Sequence, residues 1–389
     1  MKLNAYKPED RISDHFRKGG RGGKLVSANE RALLRAIWRW PASSRAEVMS
    51  RLDVTQQSVH RIVEHLAERE MLLLGEPKPG SGRGQPSPTL LLNPDWAYTI
   101  GISVNTDKAG ITLMDLSGAI TTRSVSLLEK PMAVALDDFA AIIDDMIEER
   151  GLSYERLFGI GFGIAGYSLG ETRYNAPLPL HEWSLIELGP LLADRFDAPV
   201  WTENGANTAA ICEAMLGVGR HIRSFAYLSF NYGFGGGLII DGELFAGANG
   251  NAGEFSGIYD LDEHAKRPAL QFLLQSVSRH GVPIHSIDQL NANFDPDWPG
   301  VAEWLDTTAD SHNRIINAIS ATVDPQAIVY GGEIPRKLAA MLIARADFYR
   351  FNLPRYGVSR RVPKLIVSDL PDQPSAIGAA VLPFKAELL

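Results

Sequence analysis

Apolar residues recur at helix spacing in three short N-terminal segments, and each segment follows a Ser or Thr that can cap a helix. Ser27 with Glu30, and Ser44 with Glu47, form the S-x-x-E capping box. Thr55 precedes the third segment, in which apolar positions again fall on one face. The pattern therefore predicts three short helices in this part of the chain.

A strand-like hairpin follows these helices. Leu72–Leu74 and Thr89–Leu92 are short apolar runs, and the 75–88 stretch between them holds four Gly and four Pro in 14 residues. Three helices followed by such a hairpin are typical of a winged helix-turn-helix, here expected over residues 27–92. The alternatives are a small helical bundle with an ordinary polar face and, for the loop, a plain interdomain linker.

The polar face of the third predicted helix offers amide, hydroxyl and guanidinium groups, which suit hydrogen bonding to base edges in the major groove. Lys and Arg in the loop could reach phosphate or the minor groove. The candidate DNA-binding residues are Ser44, Arg45, Thr55, Gln56, Gln57, Ser58, His60, Arg61, Lys78 and Arg83.

From Tyr98 onward, short β-rich runs alternate with helical patterns, which is typical of an α/β fold. We expect a first lobe over residues 93–204, completed by a C-terminal helix at about 375–389, and a second lobe over 205–374. Asp241-Gly242 predicts a tight hairpin turn in the second lobe. The remaining predicted strands are 98–104, 110–115, 119–126, 158–164, 199–201, 225–230, 327–332 and 365–367, and the predicted helices are near 139–147, 185–196, 207–217, 265–280 and 300–322.

Composition narrows the class of protein. The 389 residues are 45% hydrophobic and 22% charged, and no apolar run approaches the length of a membrane span. With no secretory signal pattern, we expect a cytoplasmic protein of two or three domains. The single cysteine, Cys212, excludes an internal disulfide and a multi-cysteine zinc site, and it is expected to be a core residue on a helix.

Charge is unevenly distributed. Residues 1–90 contain 16 Lys and Arg against 10 Asp and Glu, a net charge of +6, whereas the remainder contains 22 against 36, a net charge of −14. A basic N-terminal module on an acidic body suits a DNA-binding head, although solvated surface charge alone can produce this skew. The glycine-rich basic tract within residues 1–26 is expected to be a flexible arm.

Several motifs occur in an order that resembles the ROK family, which comprises sugar-responsive transcriptional repressors and sugar kinases with a two-lobed, actin-like or ribonuclease-H-like α/β fold. These motifs are the helix-turn-helix, the Gly-Arg-Gly-Gln-Pro loop, the hairpin from Ile100 to Gly118, Glu203-Asn-Gly-Ala-Asn207, the glycine-rich loop at 233–237, Gly247-Ala-Asn-Gly-Asn-Ala-Gly-Glu254 and Val329-Tyr-Gly-Gly332. The resemblance implies a winged helix-turn-helix fused to a kinase-derived sugar sensor.

The departures from the family pattern bear on catalysis. The position of the kinases' catalytic aspartate is Gly205, which cannot accept a proton from a sugar hydroxyl. Ser103-Val-Asn-Thr-Asp107 lacks the leading carboxylate and the glycine of the first phosphate signature, and Asn231-Tyr232 replaces the Gly and Thr of the second. The zinc-binding His and Cys are also absent. We therefore expect no kinase catalysis, no catalytic residue, no metal and no cofactor.

Asn204 and Glu254 match the family's sugar contacts, and Asn175 is a weaker ligand-binding candidate. The hypothesis is a sugar-responsive repressor of carbohydrate uptake or catabolism genes, acting on a double-stranded DNA operator as a homodimer or homotetramer. The alternatives are a sugar kinase with an atypical base, a pocket reshaped for another small molecule, and a ligand-independent DNA-binding protein.

Overall fold

Two β-sheets, one in each lobe, organise the body of the protein in the computed structural model, which describes residues 4–7, 16, 25–52, 54–77, 88–349 and 356–389. The strands are β1 (Asn4–Tyr6), β2 (Ser43–Ser44), β3 (Leu72–Pro77), β4 (Pro88–Leu92), β5 (Tyr98–Val104), β6 (Lys108–Asp115), β7 (Ile120–Ser126), β8 (Leu157–Ile164), β9 (Tyr167–Gly170), β10 (Arg173–Asn175), β11 (Val200–Asn204), β12 (Phe225–Phe230), β13 (Phe234–Ile240), β14 (Glu243–Leu244), β15 (Ala327–Gly332) and β16 (Lys364–Val367). The helices are α1 (Ala28–Arg39), α2 (Arg45–Met49), α3 (Gln56–Glu68), α4 (Met132–Glu149), α5 (Leu188–Phe196), α6 (Gly205–Leu216), α7 (Leu270–Arg279), α8 (Ile287–Asn293), α9 (Val301–Thr322), α10 (Arg336–Ile343) and α11 (Pro374–Glu387).

The N-terminal head has the three helices and the hairpin that the sequence predicts. Ser27 and Ser44 make complete capping boxes with Glu30 and Glu47, and the Thr55 side chain accepts from the Ser58 backbone N–H. These bonds satisfy backbone N–H groups that have no partner within the helix. Strands β2, β4 and β3 form a small sheet beside the helices. The tip of the hairpin, with Lys78 and Arg83, lies outside the described residues.

The prediction of a flexible arm over residues 1–26 is wrong where the structure describes this segment. Strand β1 pairs antiparallel with β11 at the edge of the first-lobe sheet. The Phe16 ring is buried and lies 5.2 Å from the Trp96 ring and 5.0 Å from the Phe158 ring. Local composition missed this order because both stabilising partners, an open strand edge and an aromatic cluster, are distant in sequence.

The first-lobe sheet has the order β1-β11-β8-β5-β6-β7, with β11, β8 and β5 parallel and the predicted β5-β6-β7 meander antiparallel. The second-lobe sheet has the order β14-β13-β12-β15-β16. Asp241 and Gly242 have φ of 53° and 84° and connect β13 to β14, so the predicted hairpin turn is confirmed. No helix among the described residues is long and apolar enough to span a membrane.

The glycine run at 233–237, predicted as a loop, lies mainly in a strand. Phe234 to Gly237 belong to β13 and pair with β12, and the turn is confined to Asn231–Gly233. A Cβ at Gly236 would lie 2.4 Å from the Phe255 ring, and one at Gly237 would lie 2.7 Å from the Ala210 side chain. These glycines therefore let α6 and Phe255 pack closely against the strand.

Two helices, α6 and α11, cross between the lobes with their backbones in contact. A Cβ at Gly378 of α11 would lie 1.8 Å from the Thr208 carbonyl oxygen of α6. On the other side of α11, a Cβ at Gly161 of β8 would lie 1.8 Å from the Ala379 carbonyl oxygen, and one at Gly101 of β5 would lie 2.1 Å from the Ala376 carbonyl oxygen. Any side chain at these three positions would push the helices and sheet apart.

We expect Gly378→Ala to lower the unfolding temperature. In an unpacked helix the same change would stabilise by about 1 kcal/mol, whereas overpacking here should cost about 1–3 kcal/mol. Differential scanning calorimetry measures the effect, with Gly257→Ala as the control because a Cβ there meets open space. A Gly378→Ala protein that melts at or above the wild-type temperature would contradict the close helix packing.

Candidate functional site

A cleft of about 820 Å³ separates the two lobes and contains the predicted ligand-binding residues. Asn204 at the end of β11, Glu254 after the glycine-rich segment, and Asn175 at the end of β10 all line it. Gly205, the first residue of α6, lies in the same wall. The structure thus brings together three residues that the sequence separates by up to 79 positions.

Asn204 has a structural role as well as a place in the cleft. Its Oδ1 accepts hydrogen bonds from the backbone N–H groups of Ala206 (2.7 Å) and Asn207 (3.2 Å), so it caps α6. Its Nδ2 donates to the Gly166 carbonyl oxygen (2.6 Å) and to Glu254 Oε1 (3.2 Å). Because its polar atoms are already engaged, Asn204 is suited to orienting Glu254 more than to presenting a free amide.

Glu254 and Asp107 supply carboxylates to the cleft. Glu254 is open to the cleft, and its surroundings raise its pKa by desolvating the charged form. Burial likewise raises the pKa of Asp107, whose Oδ1 is buried without a hydrogen-bond partner. Both groups can accept hydrogen bonds from ligand hydroxyls.

Asn175 is held by a hydrogen bond from its Nδ2 to Tyr167 Oη, 2.6 Å away. Both residues belong to the β9–β10 hairpin, which forms one rim of the cleft. The Asn175 side-chain oxygen has no hydrogen-bond partner among the described residues and is available to a ligand.

An ion-pair cluster links the lobes at the back of this cleft. Lys108 Nζ, at the start of β6, lies 2.5 Å from Asp288 Oδ1 on α8 and 3.1 Å from Glu333 Oε2 after β15. Burial alone would lower the pKa of Lys108, but the two carboxylates raise it, so the lysine stays charged. The same residues border a second cleft of about 1050 Å³.

The fold has room for a side chain at Gly205. Its backbone φ is not positive, and a Cβ there would come no closer than 3.6 Å to any neighbouring atom, the nearest being the Ile164 carbonyl carbon. Packing therefore does not require glycine at this position, in contrast to Gly378. Helix packing does not explain why this position lacks a carboxylate, and the consequence of the glycine is that the cleft has no proton acceptor here.

Among the polar cleft residues that were not predicted as ligand-binding are Asp107, Tyr167 and Arg267. Asp107 ends the Ser103–Asp107 segment, in which the sequence departs from the family's phosphate signature. The sequence pattern did not predict that the Asp107 carboxylate would face the cleft. Arg267 follows a short 3-10 helix, Leu261–Lys266, and no local pattern marks it. Among the residues that the structure describes, no group of three or more His, Cys, Asp or Glu side chains is arranged to hold a metal ion.

Four of the predicted DNA-binding residues lie together on the head. Arg45, Gln56, Gln57 and His60 line a groove of about 630 Å³ between α2 and α3, with Arg45 Nη1 3.1 Å from His60 Nδ1. Arg61 is exposed and has no ion-pair or hydrogen-bond partner in the described part of the chain. Ser44, Thr55 and Ser58 are instead engaged at the helix N-termini.

Helix α1 attaches the head to the body through arginine side chains. Arg31 Nη2 donates to the Glu387 carbonyl oxygen (2.7 Å), and Nη1 donates to carbonyls of the same α11 terminus, the shortest being 3.1 Å to Ala386. Arg39 donates to the carbonyl oxygens of Gly219 (3.1 Å) and Arg220 (2.6 Å), just beyond α6. One head helix is thus hydrogen-bonded to the C-terminal end of α11 and to the turn that follows α6.

Two known proteins are similar to this chain in sequence. The chain is 28% identical over 368 residues to an uncharacterized protein, y4fQ, of Sinorhizobium fredii, covering 92% of this chain and 91% of that protein. It is 28% identical over 233 residues to the xylose repressor of Bacillus subtilis, covering 59% of this chain and 60% of the repressor. The chain therefore spans about 60% of the length of that repressor.

A solved structure shares the fold over nearly the whole chain. It is a ROK family transcriptional regulator, a homologue of the E. coli MLC protein, with a TM-score of 0.65 and 18% identity, covering 91% of this chain and 95% of that chain. The expected two-lobed α/β fold is confirmed by this likeness. Residues 99–267, which include the cleft residues from Asp107 to Arg267, match the sequence pattern of the ROK family. The chain belongs to the ROK family.

Proposed function

We propose that this protein is a cytoplasmic, sugar-responsive transcriptional repressor that binds operator DNA through its N-terminal head and a sugar or sugar derivative in the cleft between its lobes. A single observation carries the proposal: the head helix α1 hydrogen-bonds to the C-terminal end of α11 and to the turn just after α6. The N-terminal end of α6 lines the cleft, and Ser375 near the start of α11 hydrogen-bonds to Gly205 in the cleft wall. A ligand-binding body and a helical head are thereby joined mechanically.

The chemistry of the cleft favours binding over phosphoryl transfer. Gly205 leaves no proton acceptor where the family's kinases have their base, and loss of a general base costs about two to four powers of ten in rate. Glu254, Asp107 and Asn175 retain acceptor groups for hydroxyls. The name of the Bacillus subtilis relative, a xylose repressor, supports a repressor of carbohydrate genes.

Direct base readout is assigned to the face of α3. Gln56, Gln57 and Arg61 are exposed, and glutamine and arginine are suited to adenine and guanine edges in the major groove. Arg45 and His60 line the protein groove between α2 and α3, next to Gln56 and Gln57. Lys78 and Arg83 of the hairpin tip would contact phosphate or the minor groove of the DNA. We infer a homodimer or homotetramer, because paired heads on two half-sites give helix-turn-helix proteins their affinity.

Coupling between ligand and DNA follows from the two crossing helices. α6 has 12 residues and α11 has 14, so they extend about 18 and 21 Å at 1.5 Å per residue. At the cleft, Asn204 caps α6, and Ser375 Oγ of α11 donates to the Gly205 carbonyl oxygen (2.9 Å). A ligand that changes the angle between the lobes would move the far end of α11 and the turn after α6, to which α1 is bonded.

The Arg61→Ala substitution should weaken binding to an operator selected from random duplexes by about 1–3 kcal/mol, because a base contact is lost. Fluorescence anisotropy at a fixed salt concentration measures the affinity. Arg195→Ala is the control, since Arg195 pairs with Asp137 far from the head. An unchanged affinity in Arg61→Ala would remove this residue from the DNA interface.

Thermal-shift measurements on a panel of sugars, amino sugars and their phosphates, each with and without ATP, test the ligand. We expect a sugar or sugar derivative to raise the melting temperature of the wild type, ATP to have no effect, and Glu254→Ala to abolish the shift. Glu303→Ala, which alters an exposed carboxylate outside the cleft, should keep it. A rise in melting temperature with ATP, accompanied by ADP release, would establish a kinase. No change in melting temperature with any compound of the panel would favour a ligand-independent DNA-binding protein.

Arg31→Ala should uncouple the ligand from DNA while leaving each able to bind. The guanidinium bonds several α11 carbonyls at once, so its loss frees the head from that helix end. The measurement is operator affinity with and without the sugar identified by thermal shift. We expect the ligand-dependent change in operator affinity to be at least about tenfold smaller in Arg31→Ala than in the wild type, within the usual range of allosteric coupling. The change should persist in Arg195→Ala. A full response in Arg31→Ala would rule out coupling through this contact.

A further inference from the structure

One cationic side chain of the cleft has no counterion. Arg267 lines the cleft, its Nε is buried without a hydrogen-bond partner, and among the described residues no carboxylate lies within ion-pair distance of its guanidinium. Its polar contact is at Nη1, 3.4 Å from His264 Nδ1. The other cation of the cleft, Lys108, is already neutralised by Asp288 and Glu333.

An unpaired, half-buried guanidinium is costly to retain. Arginine remains charged in proteins, so it cannot escape burial by losing its proton. Burial lowers the pKa of Arg267, and the Phe272 ring, whose centroid lies 5.9 Å from its Cζ, is a cation–π partner but supplies no negative charge. An anion supplied by a ligand would remove the penalty and could accept two parallel hydrogen bonds from the guanidinium.

The position of Arg267 indicates where that anion would lie. Just after it, Leu270 N donates to the Asn231 carbonyl oxygen (3.0 Å) and Gln271 N donates to the Tyr232 carbonyl oxygen (3.2 Å). Arg267 therefore flanks the β12–β13 turn, where the space next to Gly233 is open. Glu254 Oε1 accepts a hydrogen bond from Asn204 Nδ2 at the start of α6, 3.2 Å away, and makes no ion pair with Arg267 among the described residues.

We propose that the ligand of this cleft is a sugar derivative with an anionic group, a phosphate or a carboxylate, that binds Arg267 while the sugar hydroxyls face Glu254. This inference rests on the proposed function and specifies the ligand class of the same site. A neutral sugar would leave Arg267 unpaired and would bind more weakly than its charged derivative.

The first experiment uses inorganic phosphate and acetate as probes of the full chain. Melting temperatures are measured against chloride at equal ionic strength for the wild type, Arg267→Gln and Arg279→Gln, the last being an exposed arginine outside the cleft. We expect at least one probe to stabilise the wild type and Arg279→Gln, with the increment lost in Arg267→Gln and partly retained in Arg267→Lys. Equal increments in the wild type and Arg267→Gln, or none in either, would overturn the anion site. The stronger probe identifies the group as phosphate or carboxylate.

The second experiment compares glucose with glucose 6-phosphate and gluconate, and xylose with xylonate, by isothermal titration calorimetry. For the pair that binds, we expect the charged derivative to bind the wild type at least about tenfold more tightly than its neutral parent, and Arg267→Gln to abolish this ratio. A neutral sugar that binds equally to both proteins would refute the anionic ligand and leave the sugar sensor intact. An Arg267-dependent response to phosphate without binding of any sugar compound would retain the anion site and refute the sugar sensor.

Discussion

The contact between α6 and α11 is the constraint on which the rest of the structure depends. Their backbones touch because position 378 has no side chain, and α11 lies against the first-lobe sheet because positions 101 and 161 have none. Close packing makes such an interface stiff, so a displacement at one end of a helix is transmitted to the other end. Both lobes and the head are built onto this pair of helices.

The head and the body share one hydrophobic core, so the head is packed directly against the crossing helices. Trp38 of α1 packs 6.4 Å from Phe384 of α11, which in turn lies 5.5 Å from Phe158 of the first-lobe sheet. The buried apolar residues of the head and of the crossing helices form one cluster. The head is therefore held against these helices by both apolar packing and arginine-to-carbonyl hydrogen bonds.

The cleft combines an open position at Gly205 with polar side chains that are committed to structural roles. Gly205 has space for a side chain but offers no proton acceptor, whereas Asn204 is committed to capping α6 and orienting Glu254. Lys108, at the edge of the degenerate phosphate hairpin, joins the lobes through Asp288 and Glu333. Such a buried ion pair favours one lobe arrangement, which a ligand between the lobes could stabilise or disturb.

By itself, the sequence determined the helices with capping boxes at Ser27 and Ser44, the strand meander, the Asp241-Gly242 turn and the cleft residues Asn204 and Glu254, because these depend on local hydrogen bonding, periodicity or an ordered motif. Only the tertiary structure decided that Asn4–Tyr6 is an edge strand, that the 234–237 glycines lie in a strand, that Arg267 enters the cleft unpaired, and that α1 bonds to the end of α11 and to the turn after α6. Each of these depends on partners far away in the chain, and the energy of such contacts leaves no local pattern.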